Sequence, residues 1–156
     1  MLLRESRHAD EAFTAALLLD IGQAVLALSA PEKFEQMMEL ARTSGRAWHE
    51  VEPEVFGAAH PEVGAYLLGL WGLPLDLIEA VAYHHTPSRV QHAHTSVLAA
   101  VHVADAVVDA TADRPAKLLD RLDASFVART GVSRCLTAWN IHLDADELQA
   151  QRLGTR

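Results

Sequence analysis

The chain is punctuated for helices. Between proline and glycine stops, apolar residues return every three or four positions almost from end to end, the spacing of a helix with one buried face. Phe13, Leu17, Ile21 and Val25 form one such stripe, with Ala16, Asp20 and Ala24 beside it. The stripe predicts a first helix from about Asp10, a good N-cap, to Leu28. Gly22 in its middle costs about 1 kcal/mol relative to alanine and fits where another helix or a ligand comes close. Pro31 opens a second helix that turns Phe34, Met37, Met38 and Ala41 inward and stops near Gly45. A third, from about Ala47 to Phe56, contains Pro53 and is short or kinked; Gly57 ends it.

The second half reads the same way. His60-Pro61 begins a helix with Val63, Tyr66, Leu67 and Leu70 on its apolar side. Trp71-Gly72-Leu73-Pro74 stops it and starts the next, which buries Leu77, Ile78 and Val81 and carries His84 and His85 in its last turn. After Thr86-Pro87 and a polar loop, Thr95 or Ser96 caps a long helix with Val97, Leu98, Val101, Ala104, Val108 and Ala112 inward. Ala116 to about Thr130 and Ser133 to about Asn140 are the last helices. Val101-His102-Val103 alternates but lies inside a longer helical repeat, so no strand is expected. The fold class is all-α, a single bundle of about seven helices over residues 1–142, followed by a polar tail, 143–156, that frays.

The totals exclude several classes. A chain of 156 residues, half of them apolar, can bury a core and is not disordered. A formal net charge of −8 repels phosphodiester backbones and anionic lipid, which argues against a nucleic-acid role. No run approaches the roughly 18 uninterrupted apolar residues of a membrane span, and the first ten residues lack a signal-peptide core. A soluble, cytoplasmic protein is expected. The single cysteine, Cys135, forbids an internal disulfide or a cysteine-rich zinc site and reads as a packed thiol. Trp48, Trp71 and Trp139 read as core anchors, and His92 and His94 as residues of a solvated loop. There is no Gly-rich phosphate loop and no Gly-x-Ser-x-Gly turn.

What remains is a set of imidazoles and carboxylates. Asp20, His60, the pair His84 and His85, and Asp105 sit on four separate helices, near apolar faces. Taken singly, a histidine at a helix end only complements the helix dipole. Taken together, ionisable groups beside a core must meet one another or a cation, because leaving them unpaired there is costly. In the long helix His102, Asp105 and Asp109 share a face at spacings of three and four. Histidine and aspartate from several helices aimed at one point suit a divalent metal.

These residues carry a family resemblance. Ala12 through Gly22, ending Leu19-Asp20-Ile21-Gly22, resembles the helix of the HDOD domain that ends in His-Asp-Ile-Gly. Glu54-Val55-Phe56-Gly57-Ala58-Ala59-His60-Pro61-Glu62-Val63-Gly64 resembles its second signature. Trp71-Gly72-Leu73-Pro74, Tyr83-His84-His85-Thr86-Pro87 and Val101-His102-Val103-Ala104-Asp105 continue it in register, so the likeness runs from about residue 10 to 112. HDOD domains are relatives of the HD-type metal-dependent phosphohydrolases, and most are regarded as signalling or output modules with an eroded site. The resemblance implies metal ligands Asp20, His60, His84, His85 and Asp105, supported by His102, Asp109 and Glu54, around a divalent metal (Mn, Fe, Mg or Zn) of low occupancy or none.

The chain departs from the pattern in three ways. Leu19 stands where the doublet histidine would be, and Gln23 replaces a lysine common after Ile-Gly. The family's leading helical half has no counterpart, and His8, the nearest upstream histidine, lies too close to Asp20 to be assigned. An aliphatic side chain donates no lone pair, so a dinuclear centre is not expected. A bundle without its leading half would expose apolar surface on the first helix, which predicts a homodimer or a protein partner, against the alternative of a closed monomer. The reading is a non-catalytic signalling module acting by protein–protein contact; the alternative is a phosphohydrolase of nucleotides or cyclic dinucleotides.

Overall fold

The chain turns where proline and glycine punctuate it. The computed structural model describes residues 2–90, 96–113, 121–130 and 132, and at 2–6, 96 and 109–113 the backbone alone. The helices are α1 (Leu2–Leu17), α2 (Ile21–Ser29), α3 (Pro31–Ser44), α4 (Trp48–Phe56), α5 (His60–Leu70), α6 (Leu75–Tyr83), α7 (Ser96–Asp113) and α8 (Ala124–Thr130), with one 3₁₀ turn at Pro87–Arg89. There is no strand among the described residues. The fold is an all-α bundle. Pro31 and Pro61 open α3 and α5, and Gly45 and Gly57 close α3 and α4 with positive φ. Glu50 and Glu62, three residues into α4 and α5, accept the main-chain N–H of Ala47 and Ala59. The expected helix at 133–140, the start of the one at 116, the tail, the cap at Thr95 or Ser96, Cys135, Trp139, His92, His94 and the Asp109 side chain lie outside the described residues.

The first helix is two. The apolar period runs unbroken, yet the chain turns at 18–20, because α1 packs on α6 and α7 while α2 packs on α5 and α3. The break moves the buried face. Ala15, Leu19 and Leu26 are buried, whereas Phe13 and Leu17 of the expected stripe stand 66% and 69% exposed. In α5 the expected face also rotates: Leu68 and Gly64 go inside, and Tyr66 and Leu70 outside. In α7, Val97, Leu98, Val101 and Val103 are buried, and Ala104 and Val108 are exposed. Met37 and Ala41 of α3 do pack with Val51, but Met38 is exposed. Trp71 is 60% exposed and Trp48, edge-on to Phe34, is also exposed, so neither is a core anchor.

The main core joins Ala15, Leu19, Leu68, Leu77, Val81, Leu98, Val101 and Phe126, from α1, the 18–20 turn, α5, α6, α7 and α8. Arg7–Ser29 is long and apolar enough, by length and composition, to cross a membrane. It is interrupted by the turn at 18–20, and Glu11 and Asp20 within it are engaged in ion pairs. That stretch reads as two core-packing helices.

Gly22 sets how close α2 comes to α5. A Cβ there would lie 2.0 Å from the His60 carbonyl oxygen and 2.9 Å from the Gly64 main-chain nitrogen. Both neighbours are backbone, so the helices would have to separate. Gly22→Ala should therefore cost about 3 kcal/mol, despite alanine's better helix propensity. The denaturant midpoint measures it, and an unchanged or raised midpoint would show that the contact is loose.

Candidate metal centre

The contact just described delivers His60 to the middle of a cleft. Asp20 precedes α2, with φ −100° and ψ 18°, and its side chain makes no capping bond to that helix. Instead Oδ1 lies 3.2 Å from His60 Nε2 and accepts from Gln23 Nε2 at 3.0 Å. A carboxylate that forgoes its own helix cap is held for something else. His84 and His85 follow directly after α6, which ends at Tyr83 and so stops just short of the expected last turn. His60 Nε2 and His84 Nε2 are 3.4 Å apart, and ligand atoms of His60, His84 and His85 all lie within 4.8 Å of one another. Asp105, on α7, faces His85 with Oδ2 3.7 Å from Nδ1. All five sequence-derived ligand candidates line one cleft of about 770 Å³.

One of the supporting groups differs from expectation. Glu54 is exposed and paired with Arg46. The carboxylate behind His60 is Glu52, 0% exposed, whose Oε2 accepts both the main-chain N–H and the Nδ1–H of His60, each at 2.7 Å. His102, expected as a supporting group, lines the cleft behind His84. Its Nδ1–H donates to the His84 carbonyl at 2.7 Å, and its Nε2 accepts the Asp123 N–H at 3.0 Å. It is a neutral strut that fixes the main chain of His84. Asp123 in turn caps α8 by accepting from the Phe126 N–H.

His49 of α4 was not singled out in the sequence. Its ring stacks on His85 with centroids 3.9 Å apart. The signal was there: His49 and Glu52 sit three apart, on one face of α4. Arg46 and Arg121 also line the cleft.

Charge is distributed unevenly over these rings. Burial disfavours a charged His60, but Asp20 and Glu52 outweigh it and push the ring up to about 9. The Asp20 carboxyl is held below its usual range by its bond to His60, against the opposing effect of burial. Burial, with His60 nearby, takes His84 down to about 4. His85 is lowered further by burial and by His84, His49 and His60, and His102 is lowered by burial.

The donor set can be tested for fit to a metal. The Val81 carbonyl only accepts, so the His84 Nδ1 at 2.8 Å from it carries the proton. In the neutral ring Nε2 is then a bare lone pair, aimed at His60 Nε2. His60 has its Nδ1–H on a carboxylate, the arrangement that orients a metal-ligating imidazole. A proton on His60 Nε2 occupies the position between the two rings and Asp20. The residues fit a cation in that place, and nitrogen-rich donors favour zinc or iron over magnesium. Leu19 adds nothing to the shell. It is 7% exposed and packed in the apolar core.

Buried imidazoles and carboxylates brought together by separate helices of an all-α bundle define an HD-like domain. A family model for the HDOD domain matches residues 2–87, more than half of the chain, and the chain belongs to that family. The match takes in Asp20, His60, His84 and His85 and ends before Asp105. Neither the curated proteins nor the solved structures yield a match. Membership supports an HD-like regulatory or signalling module.

Without metal, the histidines make stability depend on pH in both directions. His84, His85 and His102 are lowered, so their contribution is full above the unfolded value of 6.5 and is lost as pH falls, for His84 toward about 4. His60 is raised, so its contribution is full below 6.5 and is lost as pH rises toward about 9. In chelator, the thermal midpoint should peak near pH 6.5. A midpoint that climbs steadily from pH 5 to 9 would contradict this assignment of charge.

Proposed function

We propose that this HDOD domain is a non-catalytic regulatory module that acts through protein–protein contact, with a reduced HD-type site holding at most one divalent metal. The observation that carries the reading is Leu19. The position that should supply an imidazole is filled by an aliphatic side chain built into the core, so a ligand is missing and its place is not open to a substitute. Asp20, His60, His84 and His85 would hold the metal, with Asp105 beside His85. When bound, a metal here would polarise a phosphoryl oxygen or acidify a water. Without the doublet histidine, part of the charge stabilisation that phosphodiester hydrolysis needs is gone.

A second reading rests on a specific observation. Arg46 and Arg121 stand in the same cleft as the imidazoles, and guanidinium groups beside a metal-type site suit a phosphate. That arrangement supports a phosphohydrolase of nucleotides or cyclic dinucleotides. Metal analysis of protein purified without chelator, followed by a phosphodiesterase assay with manganese, decides between them. We expect one equivalent or less of metal that depends on His84, read as the difference between the parent and His84→Ala, and no turnover above background. Turnover that vanishes in Asp105→Ala would put the enzyme first. Leu19→His should lower stability by about 2 kcal/mol, because it buries a polar ring in the core, rather than restore activity.

Contact with protein is supported by the exposed apolar side chains. Phe13 and Leu17 of α1, with Tyr66, Leu70, Trp71 and Leu75 at the α5–α6 corner, are all more than half exposed. The partner is a second copy or another protein, and a cytoplasmic role away from nucleic acid agrees with the acidic charge. Light scattering across a concentration series should show self-association that weakens in Phe13→Ser/Leu17→Ser or in Leu70→Ser/Trp71→Ser. A monomer at every concentration would leave only a heterologous partner.

A further inference from the structure

A second group of metal-type side chains lies away from the cleft and shares no residue with it. His8 and Glu11 sit three apart on one face of α1, and Asp76 is in the first turn of α6. A ring nitrogen of His8 and carboxylate oxygens of Glu11 and Asp76 all lie within 4.8 Å of one another. Asp76 and His84 are eight residues apart along α6, about 12 Å of helical rise, so the two groups are at opposite ends of that helix.

Glu11 is the informative member. It is 8% exposed, and Arg7 Nε donates to its Oε1 at 2.8 Å. Its other oxygen, Oε2, is sealed from solvent and has no hydrogen-bond partner. A buried carboxylate oxygen without a donor is costly and rare. Arg7 also acts on Asp76, but its own side chain is largely exposed, so one peripheral guanidinium faces two carboxylates. The two carboxylates outnumber that one guanidinium, and one of their oxygens is unsatisfied. One imidazole and two carboxylates are donors that zinc accepts.

We infer that His8, Glu11 and Asp76 form a second divalent-cation site, of the zinc type, that pins α1 to the start of α6. The role is structural. Two ligands one helical turn apart on α1 and a third on α6 fix the register between these helices, which meet in the main core.

Zinc chloride titrated by calorimetry into the chelator-treated full chain tests this, using parent, His8→Ala, Asp76→Asn and His84→Ala. His8 and Asp76 are not core residues, so their variants should fold; Glu11 is avoided because it is buried. The parent should bind one more equivalent than either His8→Ala or Asp76→Asn, or bind that equivalent at least tenfold more tightly. His84→Ala should retain it. Zinc should raise the thermal midpoint of His84→Ala but not that of a His8→Ala/His84→Ala double variant. The proposal is overturned if His8→Ala and Asp76→Asn bind zinc with the parent's stoichiometry and affinity, if His84→Ala alone removes all binding, or if the parent binds none.

Discussion

Of the described glycines, Gly22 has the least room for a side chain, because its α-carbon lies against a carbonyl. Gly22 lets the start of α2 rest on the His60 carbonyl and the Gly64 nitrogen, with no side chain between. Everything in the cleft follows from that distance. Asp20, two residues before Gly22, is thereby brought within reach of the His60 ring. Packing of α5 on α6 then sets the ring against His84, and α7 adds Asp105 from the other side. A packing constraint between two backbones thus becomes a chemical one between side chains.

The site is held by opposite treatment of neighbouring histidines. His60 is kept charged by two carboxylates, while His84, His85 and His102 are kept neutral by burial. Like charges at this spacing would repel strongly, so one proton shared into the cluster is what it can carry. That proton and a metal ion compete for the same lone pairs. The position where one more imidazole would shift the balance toward metal is Leu19, committed instead to the core.

Much of this was legible in sequence, for identifiable reasons. Helix ends were marked by Pro31, Gly45, Gly57 and Pro61, whose backbone preferences are local. The ligand candidates were legible because each polar group interrupts an apolar face. The turn at 18–20 was not, because no local signal breaks the period there; α2 changes direction to dock on α5. That turn is also why Phe13 and Leu17 face outward. Glu54 belongs to the stretch that resembles the family's second signature, but only the structure shows which of two carboxylates on α4 turns inward. His49 escaped notice because its stacking on His85 joins residues far apart in the chain.

One oxygen of Glu52 serves two masters. The same Oε2 receives the amide that starts α5 and the ring proton of that amide's own residue. Movement of the Glu52 carboxylate would therefore release the ring and the helix start together, since both share that acceptor. Whatever holds that carboxylate in place holds the ring and the first turn of α5 at once, next to the point where α2 rests.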